Sequence, residues 1–192
     1  DKREICDAFI DAAVEAGIPR NDDFNGATQE GVGNFQTTSG NGRRCSSAVG
    51  YLKPIRGRAN LVIETNAQVM NLEFSGKRVT GVRYRQHDID KVAKVGGEVI
   101  LSGGAVNSPQ LLQLSGVGPA RHLKAHGIEV VHDSLGVGAD LQDHYQARAV
   151  LELNQAISVN DDVNNLARRA WVGLQYALFR RGPLTFSAGH VG

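Results

Sequence analysis

The apolar residues of this chain change period twice, and that change limits the fold class more than any other feature. Near the start Ile5, Phe9, Ala12, Ala13 and Ala16 recur at helical spacing, and Gly17 with Pro19 supplies a stop. Residues 2–16 therefore read as an amphipathic helix. From Asn60 to Gln86 the period falls to two. Leu61 to Ile63 is a short apolar run, Met70, Leu72 and Phe74 alternate with Val69, Asn71 and Glu73, and Ser75-Gly76-Lys77 leads into a second β-rich stretch, Val79 to Tyr84. This is a hairpin or meander. Glu98 to Leu101 is a further strand candidate, followed by Ser102-Gly103-Gly104-Ala105 and a helix over Ser108 to Leu114. Helical spacing then returns in Val163, Leu166, Ala167, Ala170, Trp171, Leu174, Ala177 and Leu178, with Asn160-Asp161-Asp162 as the cap and Gly182-Pro183 as the end. Ser46 is placed to cap a short helix ending before Pro54. Both periods in separate segments make the fold α/β, in the mixed α+β sense.

Between the first helix and the β-rich region lies Asn21 to Gly42, a loop holding five of the chain's 23 glycines. Loops of this length without secondary structure are functional or disordered. Glycine stands well above ordinary usage of roughly 7%, yet 41% apolar content excludes a disordered chain. Those glycines belong in turns and close backbone crossings. Twenty-one basic against 20 acidic residues leave a net charge of +1, so no bulk field recruits nucleic acid or another polyanion. No apolar run is long enough to span a bilayer, and the opening residues carry no signal-peptide core. The stripe from Val163 to Leu178 reads better as a helix packed on its own domain than as a membrane-surface helix, because Asn164, Asn165 and Gln175 make its polar face only weakly basic. Membrane association is not indicated. Cys6 and Cys45 read as packing residues in a reducing compartment, which points to the cytoplasm.

Chemistry-bearing motifs are few. The strand, Gly-Gly-Ala turn and helix across 98–114 can bring backbone N–H groups to a phosphate or nucleotide, and can equally be close packing. Neither GxGxxG nor GxxxxGK[ST] occurs, nor does a GxSxG elbow or an HExxH pair. His122 and His126 are spaced i,i+4 as metal ligands can be, but lack a third ligand nearby, so no metal is expected. Asp143 and His144 are adjacent, a spacing that does not pair their side chains.

Two blocks carry a resemblance. GGAVNSPQLLQLSGVGP, Gly103 to Pro119, resembles the second signature of the glucose-methanol-choline (GMC) oxidoreductases, with Gly104, Ala105, Ser108, Pro109, Leu111, Leu112, Ser115, Gly116, Val117 and Gly118 on its defined positions. GVGADLQDH, Gly136 to His144, resembles the block that follows it, with Asp140 where asparagine is usual. Gly33 to Pro54, Arg58 to Leu61, Thr65 to Val69 and Gly182-Pro183-Leu184 are similar to the choline-dehydrogenase-like branch in the same order. The likeness runs from about Gly26 to Gly192.

It implies an FAD-dependent enzyme that moves a hydride from an alcohol carbon to flavin N5, giving an aldehyde or ketone. An oxidase passing electrons to oxygen, and a non-catalytic binding module on the same scaffold, stay open as alternatives, and the electron acceptor is unassigned. The implied architecture is part of a Rossmann-type FAD domain with its β-meander over residues 1–135, interrupted by the 21–45 loop. The start of a sheet-plus-helix substrate domain follows over 136–192. Family members also carry a GxGxxG and a C-terminal catalytic histidine, neither found here, so the chain is expected to be a central piece without catalytic residues of its own. By the same resemblance Val69, Gly103 and Gly104 fall at the adenosine side of FAD, and His144 and Gln146 by the substrate cavity. Choline-oxidising members tend to place a glutamate where this chain has Gln146. An amide offers the quaternary ammonium only a dipole, which disfavours choline itself.

Overall fold

The computed structural model describes residues 3–147, 149–154, 158–185 and 189–192. Lys2, the first residue of the expected opening helix, lies outside them. The chain begins with α1 (Glu4–Glu15), a two-residue hairpin of β1 (Ser39–Gly40) and β2 (Arg43–Arg44), and a π-helical turn over Ala48–Leu52 that runs into α2 (Lys53–Ile55). Next come β3 (Ala67–Ser75), β4 (Arg78–Gln86) and β5 (Ile89–Lys94), then α3 (Gly104–Leu114), β6 (Val117–Gly118), α4 (Ala120–Ala125) and β7 (His132–Asp133). The last elements are α5 (Val159–Asn164), α6 (Leu166–Phe179) and a 3-10 turn over Pro183–Thr185. These divide into two compact units, residues 1–61 with 148–192 and residues 62–147.

In the first unit α1 buries Ile10 and Cys6, whose Sγ lies 3.8 Å from Nδ1 of His190. The long loop is held by its own polar groups. Asn21, buried, donates from Nδ2 to the carbonyls of Thr28 and Glu30 and accepts from the Asp23 N–H. Gly33 and Gly192 exchange backbone hydrogen bonds at 2.8 and 3.2 Å, so the loop also gains an extended partner from the far end of the chain. Cys6 and Cys45 are both free thiols.

Three local expectations resolve differently. Pro54 does not end the short helix: the helical run that starts at Ala48 passes through it to Ile55. The single helix expected after Asn160 is two. Ser158 and Asp161 form a capping box that starts α5, and Asn165 breaks the run in extended conformation while its side chain accepts from the Arg168 N–H at 3.1 Å. Asparagine competes with the helix for backbone donors in this way. The apolar stripe of α6, expected to pack on its own domain, is not covered by the described residues: Leu166, Trp171, Leu174 and Leu178 are exposed, while Val172, Gly173, Gln175 and Tyr176 are half-buried.

The second unit is built on an antiparallel meander in the order β3-β4-β5. Its second turn, His87-Asp88, has both residues in left-handed conformation, the pairing that matches the right-handed twist of a hairpin. The register of β3 on β4 slips at Met70 and again opposite Thr80, so β3 carries a bulge one residue after Val69. Beyond the sheet α3 leads to Gly116, at φ +87, and then to β6, which pairs in parallel with β7. A Cβ on Gly116 would stand 2.5 Å from the Glu129 carbonyl oxygen, so both the dihedral and the neighbour require glycine. Glu98 to Leu101 forms no ladder among the described residues, and Ile100 is 79% exposed. A strand depends on a neighbour for its hydrogen bonds, which spacing alone does not supply.

Candidate functional site

The start of α3 has an open end. Gly103, its N-cap, donates its own N–H to Ser108 Oγ at 3.0 Å, and no side chain caps the helix. A Cβ on Gly103 would meet Asn107 Cβ at 3.2 Å, so this glycine lets the turn fold tightly on the helix. Gly104 differs. It takes φ +83, and a Cβ there would meet nothing within 4 Å, so the backbone conformation demands glycine while the space beside it stays empty. Unsatisfied N–H groups at a helix start carry partial positive charge and suit an anion or a polar acceptor.

The other end of α3 is tied down. Ser115 is buried, donates its hydroxyl to the Leu111 carbonyl at 2.6 Å and accepts the Leu72 N–H of β3 at 2.8 Å. That bond satisfies a strand N–H next to the bulge and sets the helix against the strand that carries Val69. Val69 itself is half-buried and pairs with Tyr84. Gln113, two residues earlier on α3, donates from Nε2 to the Val137 carbonyl at 2.8 Å, and a Cβ on Gly138 would stand 2.5 Å from that nitrogen. The Gly103–Pro119 and Gly136–His144 blocks are thus joined through one amide. Between α3 and the second block runs a groove of about 480 Å³, lined by Ala105, Ser108, Pro109, Leu112, Gly138 and Leu141.

Past this groove Asp140 adopts φ +56, a left-handed position that asparagine and aspartate both tolerate. The substitution of one for the other is therefore no strain on the backbone. His144 and Gln146 follow in an exposed stretch without regular structure. The Asp143 carboxylate accepts from the His144 backbone N–H at 2.7 Å, and that is the contact recorded between these neighbours. Among the described residues no hydrogen bond or ring contact links His144 or Gln146 to Val69, Gly103 or Gly104. His122 and His126 meet edge to face at 4.7 Å, and no cluster of three metal-ligating side chains occurs among the described residues.

Sequence reasoning places Gly103, Gly104 and Val69 in one unit of the fold but does not foresee what holds them there. Ser115 stands on a defined position of its block, yet its partner is 43 residues away. Gln113 carried no motif signal at all.

Residues 1–146 match the family model described as GMC oxidoreductase. The chain belongs to the GMC oxidoreductases. It is 43% identical over 178 residues to a protein named oxygen-dependent choline dehydrogenase from Staphylococcus xylosus, covering 93% of this chain and 31% of that protein. To the alcohol dehydrogenase [acceptor] of Pseudomonas putida it is 42% identical, covering 100% of this chain and 35% of that protein. Among solved structures, a fungal aryl-alcohol oxidase matches with TM-score 0.78 and 29% identity over 94% of this chain and 32% of its own. Pyridoxine 4-oxidase from Mesorbium loti matches with TM-score 0.62 and 32% identity over 68% of this chain and 26% of its own. This GMC chain spans about a third of the length of the curated relatives it matches.

Proposed function

We propose that the protein containing these residues is an FAD-dependent oxidoreductase of choline-dehydrogenase-like type that oxidises an uncharged alcohol CH–OH to an aldehyde or ketone. The observation that carries it is the pair of signature blocks held together by the Gln113–Val137 hydrogen bond at the far end of α3, while the start of that helix is left uncapped, in a chain of this family. The residues present suit the cofactor's adenosine end. Gly104 leaves open space where any side chain would stand, and the helix start offers unsatisfied N–H donors. On this reading Val69, Gly103 and Gly104 hold that end. Bound flavin would supply the hydride acceptor.

His144 and Gln146 belong by the same proposal to the substrate side, residues 1–135 to the FAD domain and 136–192 to the substrate domain. That boundary divides ligand roles and falls within the compact unit 62–147. Gln146 presents a neutral amide, so a substrate ammonium gains no opposite charge there, while a neutral hydroxyl compound loses nothing. We infer a cytoplasmic location, a reading supported by two cysteines that form no disulfide with each other.

The test uses the intact protein. Visible flavin absorbance and turnover of uncharged primary alcohols above choline are expected, and Gln146→Glu should raise kcat/KM for choline about tenfold, the effect of one added ion pair near a protein surface. A preparation without flavin, or one that prefers choline before the substitution, overturns the reading.

A further inference from the structure

Gln86, the last residue of β4, is a buried polar side chain that lies outside the site at α3. Its amide is used at both ends. Nε2 donates to the Thr65 carbonyl and to the Glu64 carboxylate, each at 2.9 Å, and Oε1 accepts from Lys91 Nζ at 2.7 Å. A primary amide donates twice and accepts as well, which neither glutamate nor methionine of similar volume can do.

These bonds are unequal. Glu64 and Lys91 are exposed, so their charged ends lie where water and salt screen them. The Thr65 carbonyl is main chain, and between it and Ala67, the first residue of β3, stands Asn66 in left-handed conformation at φ +54. A ladder does not continue through such a residue. Gln86 holds both flanks of the kink, because its backbone is the ladder partner of Ala67 while its side chain binds Thr65. Among the described residues no other hydrogen bond joins residues 62–65 to the sheet. The next rungs are Gln68 with Arg85 and Val69 with Tyr84, and then the register slips at Met70. Val69 therefore stands on a short paired run, bounded by the Asn66 kink on one side and the bulge on the other.

We propose that Gln86 is a positioning residue for FAD: by fixing Thr65 and Ala67 on either side of Asn66, it sets where the Val69 backbone stands. The inference rests on the reading that puts the cofactor's adenosine end at Val69, and Gln86 acts through the strand, without touching the cofactor.

The test follows flavin release from the intact holoenzyme by FAD fluorescence after dilution. Gln86→Met and Gln86→Glu should each release FAD about fivefold faster than the parent, the effect of one lost hydrogen bond to main chain. Glu64→Gln and Lys91→Met keep the Thr65 bond and should stay within about twofold of the parent. The increment in Tm that FAD confers should shrink in the Gln86 variants, whereas a bond that only stabilises the sheet lowers Tm equally with and without FAD. Parent-like release from both Gln86 variants, or an unchanged increment, overturns the proposal. So does an equal acceleration in Glu64→Gln and Lys91→Met, which assigns the effect to the charged ends. Amide exchange over Ala67–Met70, with and without FAD, separates premise from inference. Protection there with unchanged release in the Gln86 variants defeats the positioning role alone. No protection there defeats the placement of the adenosine end at Val69 as well.

Discussion

Helices α3 and α6 are similar in length and opposite in how they end. α3 begins without a side-chain cap and finishes with Ser115 bonded into β3, so its start is free and its finish is anchored. α6 is closed at its start by Asn165, and at its finish by Arg180 in left-handed conformation, whose N–H returns to the Tyr176 carbonyl. A helix whose terminal donors are satisfied by its own flanks has only its side to offer a partner. One with bare donors offers its end. The difference separates a helix with a bare end from one with capped ends within the same chain.

Breaking the anchored finish of α3 should have the largest effect. Gly116→Ala forces a side chain into φ +87 against the Glu129 carbonyl, and should cost about 3 kcal/mol by urea denaturation of the intact protein. An effect below about 1 kcal/mol would show that the turn yields and that α3 is not held rigidly. Next in size is Ser115→Ala, which leaves the buried Leu72 N–H without its acceptor. It should cost about 2 kcal/mol and accelerate hydrogen exchange at Leu72, with exchange in α6 unchanged.

The smallest effect lies at the start of the α5–α6 pair. Ser158 donates a hydroxyl and a backbone N–H to Asp161, and the hydroxyl bond is the larger cause of a carboxyl held below its ordinary range. A depressed carboxyl contributes stability that is present above its unfolded value and is lost as the pH falls through its folded one. The capping box should therefore be indifferent to pH near neutrality and weaken below about pH 4. Asp161→Asn should remove that part of the acid dependence, read as a shallower fall of helicity, and leave α3 untouched. Asp90, lowered by its hydrogen bond to Arg85, supplies an independent acid-sensitive site in the β4–β5 pair and a control for the variant.

What could be read from the chain alone was local. The meander was legible because alternation over Met70, Leu72 and Phe74 needs only neighbours in sequence, and α1 because Gly17 and Pro19 follow its apolar spacing. The bulge after Val69, the break at Asn165 and the missing ladder at Glu98 to Leu101 were not legible, since each depends on which donors and acceptors lie across a gap. The candidate site divides in the same way. Gly103 and Gly104 announce a tight turn before a helix, but only the fold distinguishes the one packed on Asn107 from the one facing empty space.

By itself, then, the sequence determined the mixed α/β class, the positions of the two signature blocks and the neutral amide at Gln146. These are properties of residue type and order. The tertiary structure alone decided that Gln113 joins the blocks across 24 residues and that Ser115 locks α3 to β3. Hydrogen bonds and burial are relations between distant parts of a chain, and no periodicity within one segment records which partner it will meet.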